Sequence, residues 1–137
     1  MNMIDMHIHA YNREINREAL LAALESAGIG GCCVYSTRPE EASRLEGIPF
    51  DRRLAEALAW AEGYEDRIFP VLWIHPFEAD ILSKVRLAAE AGIAAFKIIC
   101  TDFYVSDPRC LEVVREIARL GKPVIFHSGI LWDGQVS

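Results

Sequence analysis

Ile68-Phe69-Pro70-Val71-Leu72-Trp73-Ile74, an amphipathic stretch over 78–91, and then Ala94-Ala95-Phe96-Lys97-Ile98-Ile99 form the succession that decides the fold. Two short apolar runs enclose a longer segment in which Ile81, Val85 and Ala88 recur at the three-and-four spacing of one helix face. A strand, a crossover helix and a second strand make the unit from which parallel sheets are built. The same alternation continues outward to both ends of the chain. Strands are predicted over 3–8, 30–35, 68–74, 94–99 and 123–127, with helices over 15–27, 50–63, 78–91 and 108–120 between them. Val71-Leu72-Trp73-Ile74 and Val124-Ile125-Phe126 are apolar on both faces, as strands are when helices cover one side and a packed interior the other.

The ends of these segments carry their own signals. Asp107 precedes Pro108, so a capping carboxylate stands beside a ring whose missing amide costs nothing at the first helical position. Gly28, Gly92 and Gly121 each follow a predicted helix, where a left-handed turn ends it. Ala27-Gly28-Ile29-Gly30-Gly31 and Ala91-Gly92-Ile93-Ala94-Ala95 use one helix-to-strand turn twice, a faint repeat in keeping with a βα array. The whole chain, residues 1–137, is expected to belong to a single α/β domain.

Composition narrows the function classes. Hydrophobic residues are 52% of the chain, yet no uncharged apolar run reaches the ~20 residues that cross a bilayer. The first residues lack a basic region followed by an apolar stretch, so a cytoplasmic protein is expected. The net charge is -6 and the basic residues are scattered among acidic ones, which leaves no electrostatic footprint for nucleic acid. Cys32, Cys33, Cys100 and Cys110 contain no Cys-x-x-Cys and read as reduced thiols, the adjacent pair as small buried side chains.

The first strand differs from the rest. Strict alternation places Ile4, Met6 and Ile8 on one face and Asp5, His7 and His9 on the other. His7 and His9 then project to one side with alpha carbons roughly 6.5 Å apart, close enough for both imidazoles to reach one ion. A solvated strand face would carry the same pattern. Position favours the ligand reading: the pair ends the strand as Ala10, Tyr11 and Asn12 begin a loop, and His127 ends the fifth strand before Ser128-Gly129. Chemistry in (β/α) barrels sits at the C-terminal ends of the strands, where three imidazoles would meet at one mouth and hold zinc or a similar divalent ion.

Asp5-Met6-His7-Ile8-His9-Ala10 resembles the strand-one signature of the amidohydrolase superfamily, and Gly121-Lys122-Pro123-Val124-Ile125-Phe126-His127-Ser128-Gly129 resembles its strand five. Within the superfamily the chain is most similar to the amidohydrolase-related group that includes aminocarboxymuconate semialdehyde decarboxylase. The resemblance implies a TIM-type (β/α)8 barrel of which about the first five strands are present. It also implies a metal, zinc first and manganese or another transition metal next, held by His7, His9 and His127.

Two further residues stand out. Lys97, inside an apolar run, must extend its ammonium to water, pair with a carboxylate such as Asp5, or be modified. Phe96-Lys97-Ile98 resembles the strand-four segment of urease and dihydroorotase, whose lysine is carbamylated and bridges two metals, a role not expected in the decarboxylase-like group. Lys97 is thus a candidate for metal or substrate. His75, in Trp73-Ile74-His75-Pro76, resembles the Ile-His-Pro segment of metal-dependent deoxyribonucleases and is a candidate substrate contact, or a loop histidine held by local hydrogen bonds. Asp102 follows strand four and could face the site.

A complete barrel needs eight βα units and typically ~250 residues. The family's strand-six histidine and strand-eight aspartate have no counterpart here, so the catalytic residue is unassigned and the chain is expected to be an inactive piece of a longer enzyme. Its open sheet edges should associate with a second copy or with the missing half. The expected function is metal-dependent hydrolysis of a C–N or C–O bond in a small molecule, or the related nonoxidative decarboxylation. A noncatalytic half-barrel module that self-associates is the alternative. A metal-dependent deoxyribonuclease is a third reading, disfavoured by the acidic charge.

Overall fold

A computed structural model describes residues 3–9, 16–40 and 47–128. Ala10, Tyr11, Asn12 and Ile15, Gly129 and residues 132–137 lie outside them. Five strands, β1 (Met3–His9), β2 (Ile29–Tyr35), β3 (Ile68–Trp73), β4 (Ala95–Ile98) and β5 (Val124–Phe126), alternate with α1 (Arg17–Ser26), α2 (Phe50–Ala61), α3 (Ile81–Glu90) and α4 (Pro108–Arg119). All neighbouring strands are parallel and their order in the sheet is their order in the chain. A doubly wound sheet reverses direction at a switch point and puts helices on both faces. Here there is no reversal, so the sheet keeps an outer face for its helices and an inner face of its own.

The side chains sort accordingly. Leu72, Ile74, Phe96 and Ile98 pack outward against Leu54, Val85, Ala88, Val113 and Ile117 of the helices, all of them buried. Each fully buried aliphatic or aromatic side chain of this kind stabilises the fold by about 1.5–3 kcal/mol. Cys32 and Val34 join Leu21 and Leu24 of α1 in a second outer cluster. Cys33, Tyr35, Val71 and Ala95 form the inner cluster, with Phe69 and Ile125 against it. Alternation along β2, β3 and β4 therefore supplies both layers from the same few residues. The cysteines are free, with Cys32, Cys33 and Cys110 buried.

Local signals act as the sequence implies. Asp107 accepts from Arg109 N at 2.8 Å and caps α4, while Gly28 and Gly92 sit at φ of 72° and 109° between helix and strand. Asn16 caps α1 by accepting from Ala19 N at 2.9 Å. Two expectations fail. The third helix starts at Ile81 rather than at residue 78, because Glu78 is drawn into the turn after β3, where its Oε1 accepts from His75 N at 2.9 Å. Simple alternation also breaks in β1: Asp5 aligns with Cys32 and Ile8 with Val34, three residues against two. The Asp5 carboxylate accepts from His7 N at 2.9 Å, which bends the strand at this shift, and Met6 reaches the inner face to touch Cys33 at 3.8 Å. Asp5 is therefore not the third member of a face with His7 and His9.

Among the described residues no helix is long and apolar enough to cross a membrane.

Candidate metal centre

The C-terminal ends of parallel strands form one rim, and the chemistry-bearing residues of the inner face gather there. His7 and His9 come from the end of β1, Tyr35 ends β2, Trp73 ends β3, Lys97 is the last residue but one of β4, and His127 follows β5. The register aligns His9 with Tyr35 and Trp73 with Lys97.

The β1 shift does not separate the two histidines. Their Nε2 atoms face each other at 2.8 Å, a distance at which one of them carries the shared proton. His7 stacks on Tyr35 with ring centroids 4.5 Å apart, and His9 lies 5.5 Å from the same ring. Lost hydration is the largest cause holding His7 below the ordinary imidazole value, followed by the charges of Lys97 and His127. His9 is pushed down to about 4, by burial first and then by His7 and Lys97. His127 is lowered by burial and by Lys97. A group whose native pKa is depressed stays neutral near pH 7, and neutral imidazole is the form that binds a metal. Because the unfolded chain would take up these protons first, the fold loses stability as the pH falls from about 6.5 towards 4.

The donor set suits a divalent ion. At a tetrahedral zinc with Zn–N near 2 Å, two ligating nitrogens stand about 3.3 Å apart, so the His7–His9 pair needs to open by only about half an ångström. His127 is at the same rim, close enough for its charge to be felt at His7. Among the described residues, however, no three His, Cys, Asp or Glu side chains are gathered as a ready-made cation site. The reason lies in the topology: β1 and β5 are the two outermost strands of an open sheet, with three others between them.

Lys97 is 3% exposed, so its ammonium does not reach water, and it forms no ion pair with Asp5 or any other described carboxylate. Its Nζ lies 5.1 Å from the centroid of the Tyr35 ring, and burial lowers its pKa.

His75 is 2% exposed and held locally. Its Nδ1 accepts from Phe77 N at 3.3 Å, which leaves the proton on Nε2 to be donated to Asp102 Oδ1 at 3.0 Å. Phe103 meets the ring edge-on at 5.0 Å. Asp102 and His127 line a cavity of about 650 Å³ with Cys100, Phe103, Tyr104 and Phe126. A ligand there would meet Asp102, with His75 behind it. The turn that carries His75 is fixed in turn by a buried ion pair, Arg53 Nη2 to Glu78 Oε2 at 2.7 Å, each side chain 1% exposed. Arg53 also donates to the carbonyls of Ile48 and Trp73.

A solved structure from Acinetobacter baumannii, described as a probable 2-pyrone-4,6-dicarboxylic acid hydrolase with citric acid bound, matches 93% of this chain at a TM-score of 0.63 and 14% identity. The chain spans 50% of that protein's length. The fold is a partial TIM-type barrel. No protein-family model matches the sequence. No curated protein matches it either. In a half barrel the rim described above corresponds to the face on which TIM-barrel enzymes place their chemistry. Sequence reading pointed to the histidines and Lys97 but missed Tyr35 and Trp73, which look like ordinary core residues until the rim of the half barrel brings them beside charge. It also missed the Arg53–Glu78 pair, whose members are far apart in sequence and share no motif.

Proposed function

We propose that this chain is the metal-holding half of a metal-dependent hydrolase of the amidohydrolase superfamily. The observation that carries this reading is the His7–His9 pair, its Nε2 atoms converging to 2.8 Å at the C-terminal end of the first strand of a partial barrel. His7, His9 and His127 would hold the ion, zinc first and manganese next. A bound divalent ion lowers the pKa of water towards ~7 and polarises a carbonyl, which supplies a nucleophile near neutral pH. The chain's own residues prepare the place: Tyr35 braces both imidazoles, and the charge on Lys97 disfavours their protonation. Substrates of this chemistry are small molecules bearing an ester, lactone or amide bond, with nonoxidative decarboxylation of a carboxylic acid as the related outcome.

The second reading is a noncatalytic half barrel that pairs with a second copy, favoured by the exposed Met3, Ile4 and Met6 on edge strand β1. A deoxyribonuclease is disfavoured by the net charge of -6. The polypeptide as the cell makes it should be assayed with zinc and manganese against lactones, esters, amides and aromatic carboxylic acids. Metal-dependent turnover that is lost in His7→Ala/His9→Ala is the expected result. A polypeptide that takes up metal through these histidines yet turns over nothing in the panel favours the noncatalytic reading.

A further inference from the structure

The cavity that Asp102 and His127 share has an apolar lining and a charge of one sign. Among the described residues that form it, Phe103, Tyr104, Val105 and Phe126 supply apolar surface, Asp102 supplies a carboxylate, and no lysine or arginine takes part. Its volume of about 650 Å³ is that of a small-molecule site. Tyr104 is 84% exposed, Val105 50% and Phe126 37%, so three large apolar side chains that the fold leaves in water border one hollow. Apolar surface gathered in this way marks a binding site, where the same residues scattered singly would not. The carboxylate within it is held in place, yet its charge is not cancelled. Asp102 Oδ1 accepts from His75 Nε2 at 3.0 Å and from Thr101 Oγ1 at 3.2 Å. His75 keeps Nδ1 as the acceptor for Phe77 N, so its ring is neutral and lends no positive charge. Among the described residues no lysine or arginine pairs with Asp102, whose side chain is 63% exposed, and both bonds go to Oδ1, which leaves Oδ2 to a ligand. Water alone would satisfy an exposed carboxylate; here a buried ring and a hydroxyl hold it in one orientation.

We infer that this cavity binds the ammonium group of a small molecule with an apolar body, with Asp102 as its charge partner, Phe103, Tyr104 and Phe126 as walls, and His75 as the residue that positions Asp102. An ammonium group suits both parts of the lining, since it donates to a carboxylate and is attracted to the faces of aromatic rings. A carboxylate ligand would meet a like charge there and no lysine or arginine to offset it. Because His127 lines the same cavity, a molecule held by Asp102 extends towards the rim that carries the histidines. The substrate is then a carbonyl compound that carries an amino group at the end remote from the bond that reacts. That statement about substrate rests on the hydrolase reading, whereas the binding of an ammonium group does not.

The test uses the purified chain, uniformly 15N-labelled, freed of metal with a chelator and held at pH 7 in low salt, so that a failure of the metal site cannot imitate a failure of this one. Three probes of similar shape differ in the charge of the end group: phenethylamine is a cation at this pH, phenethyl alcohol is neutral, and 3-phenylpropionate is an anion. Backbone amide signals of residues 100–105, Phe126 and His127 should move on addition of phenethylamine. Its affinity should exceed that of phenethyl alcohol by about tenfold, the low end for a hydrogen bond to a charged group, and 3-phenylpropionate should bind most weakly. Asp102→Asn keeps an oxygen to accept from His75 and Thr101 and removes only the charge, so the advantage of the amine over the alcohol should fall to within about twofold. Binding of the alcohol or the anion as tight as that of the amine would overturn the inference, and that comparison needs no variant. An advantage that persists unchanged in Asp102→Asn would overturn it too. So would the absence of phenethylamine-dependent shifts in these amides, whether or not signals elsewhere in the chain respond.

Discussion

Arg53→Met is expected to lower the free energy of unfolding by about 3–5 kcal/mol, the usual cost of removing one partner from a buried ion pair. Arg53 projects from α2 into the turn that follows β3, where its side chain is 1% exposed and meets Glu78 at 2.7 Å. Methionine fills much the same space, so the cost arises from charge rather than from a cavity. The Glu78 carboxylate would stay buried, with Lys84 at 3.5 Å as its remaining cation, and the carbonyls of Ile48 and Trp73 would lose their donor. Glu78 Oε1 also accepts from His75 N, so the disturbance reaches the turn that presents His75 to Asp102. Denaturant unfolding of the wild type, Arg53→Met, Glu78→Leu and the double variant measures this. Each single change should cost several kcal/mol, and the double variant should recover a large part, because no charge is then left buried alone. A loss of under about 1 kcal/mol in Arg53→Met would mean that the pair is hydrated in solution.

The second large effect concerns metal. His7→Ala/His9→Ala should weaken zinc binding by at least about a hundredfold, more than the 10–100-fold that loss of a mere supporting contact costs. The two Nε2 atoms are the only imidazole nitrogens among the described residues found within hydrogen-bond distance of one another, so removing both takes away the point of convergence. His75→Ala is the control: its ring nitrogens are occupied by Phe77 N and Asp102, and zinc affinity should stay within about threefold of wild type. Competition against a coloured chelator gives both numbers. Equal uptake by the wild type and the double variant would remove the ligand assignment.

Most of the architecture was legible because its signals are local. Strands such as Val71–Trp73, apolar on both faces, and helices closed by Gly28, Gly92 and Gly121 require only neighbours in sequence to be recognised. Asp107 announced its cap in the same way. What escaped depends on partners far along the chain. The start of α3 moved to Ile81 because Glu78 serves Arg53, twenty-five residues away in sequence. The shift in β1 follows from the Asp5 carboxylate competing for the His7 amide, which no hydrophobic period records. The convergence of His7 and His9 was legible to the same depth: a His-x-His spacing shows that two rings share a side, and the Nε2 atoms do meet. How close His127 comes depends on the curvature of five strands, a property that the period of no single strand contains.

The proposal that β1 and β5 share one ion is tested most directly by long-range 15N spectra of the imidazole nitrogens during a zinc titration. Addition of zinc should move ring-nitrogen signals of His7, His9 and His127 together, with all three complete at one equivalent and those of His75 unmoved. If His7 and His9 respond while His127 keeps its metal-free shifts beyond that point, the two ends of the sheet do not share a metal.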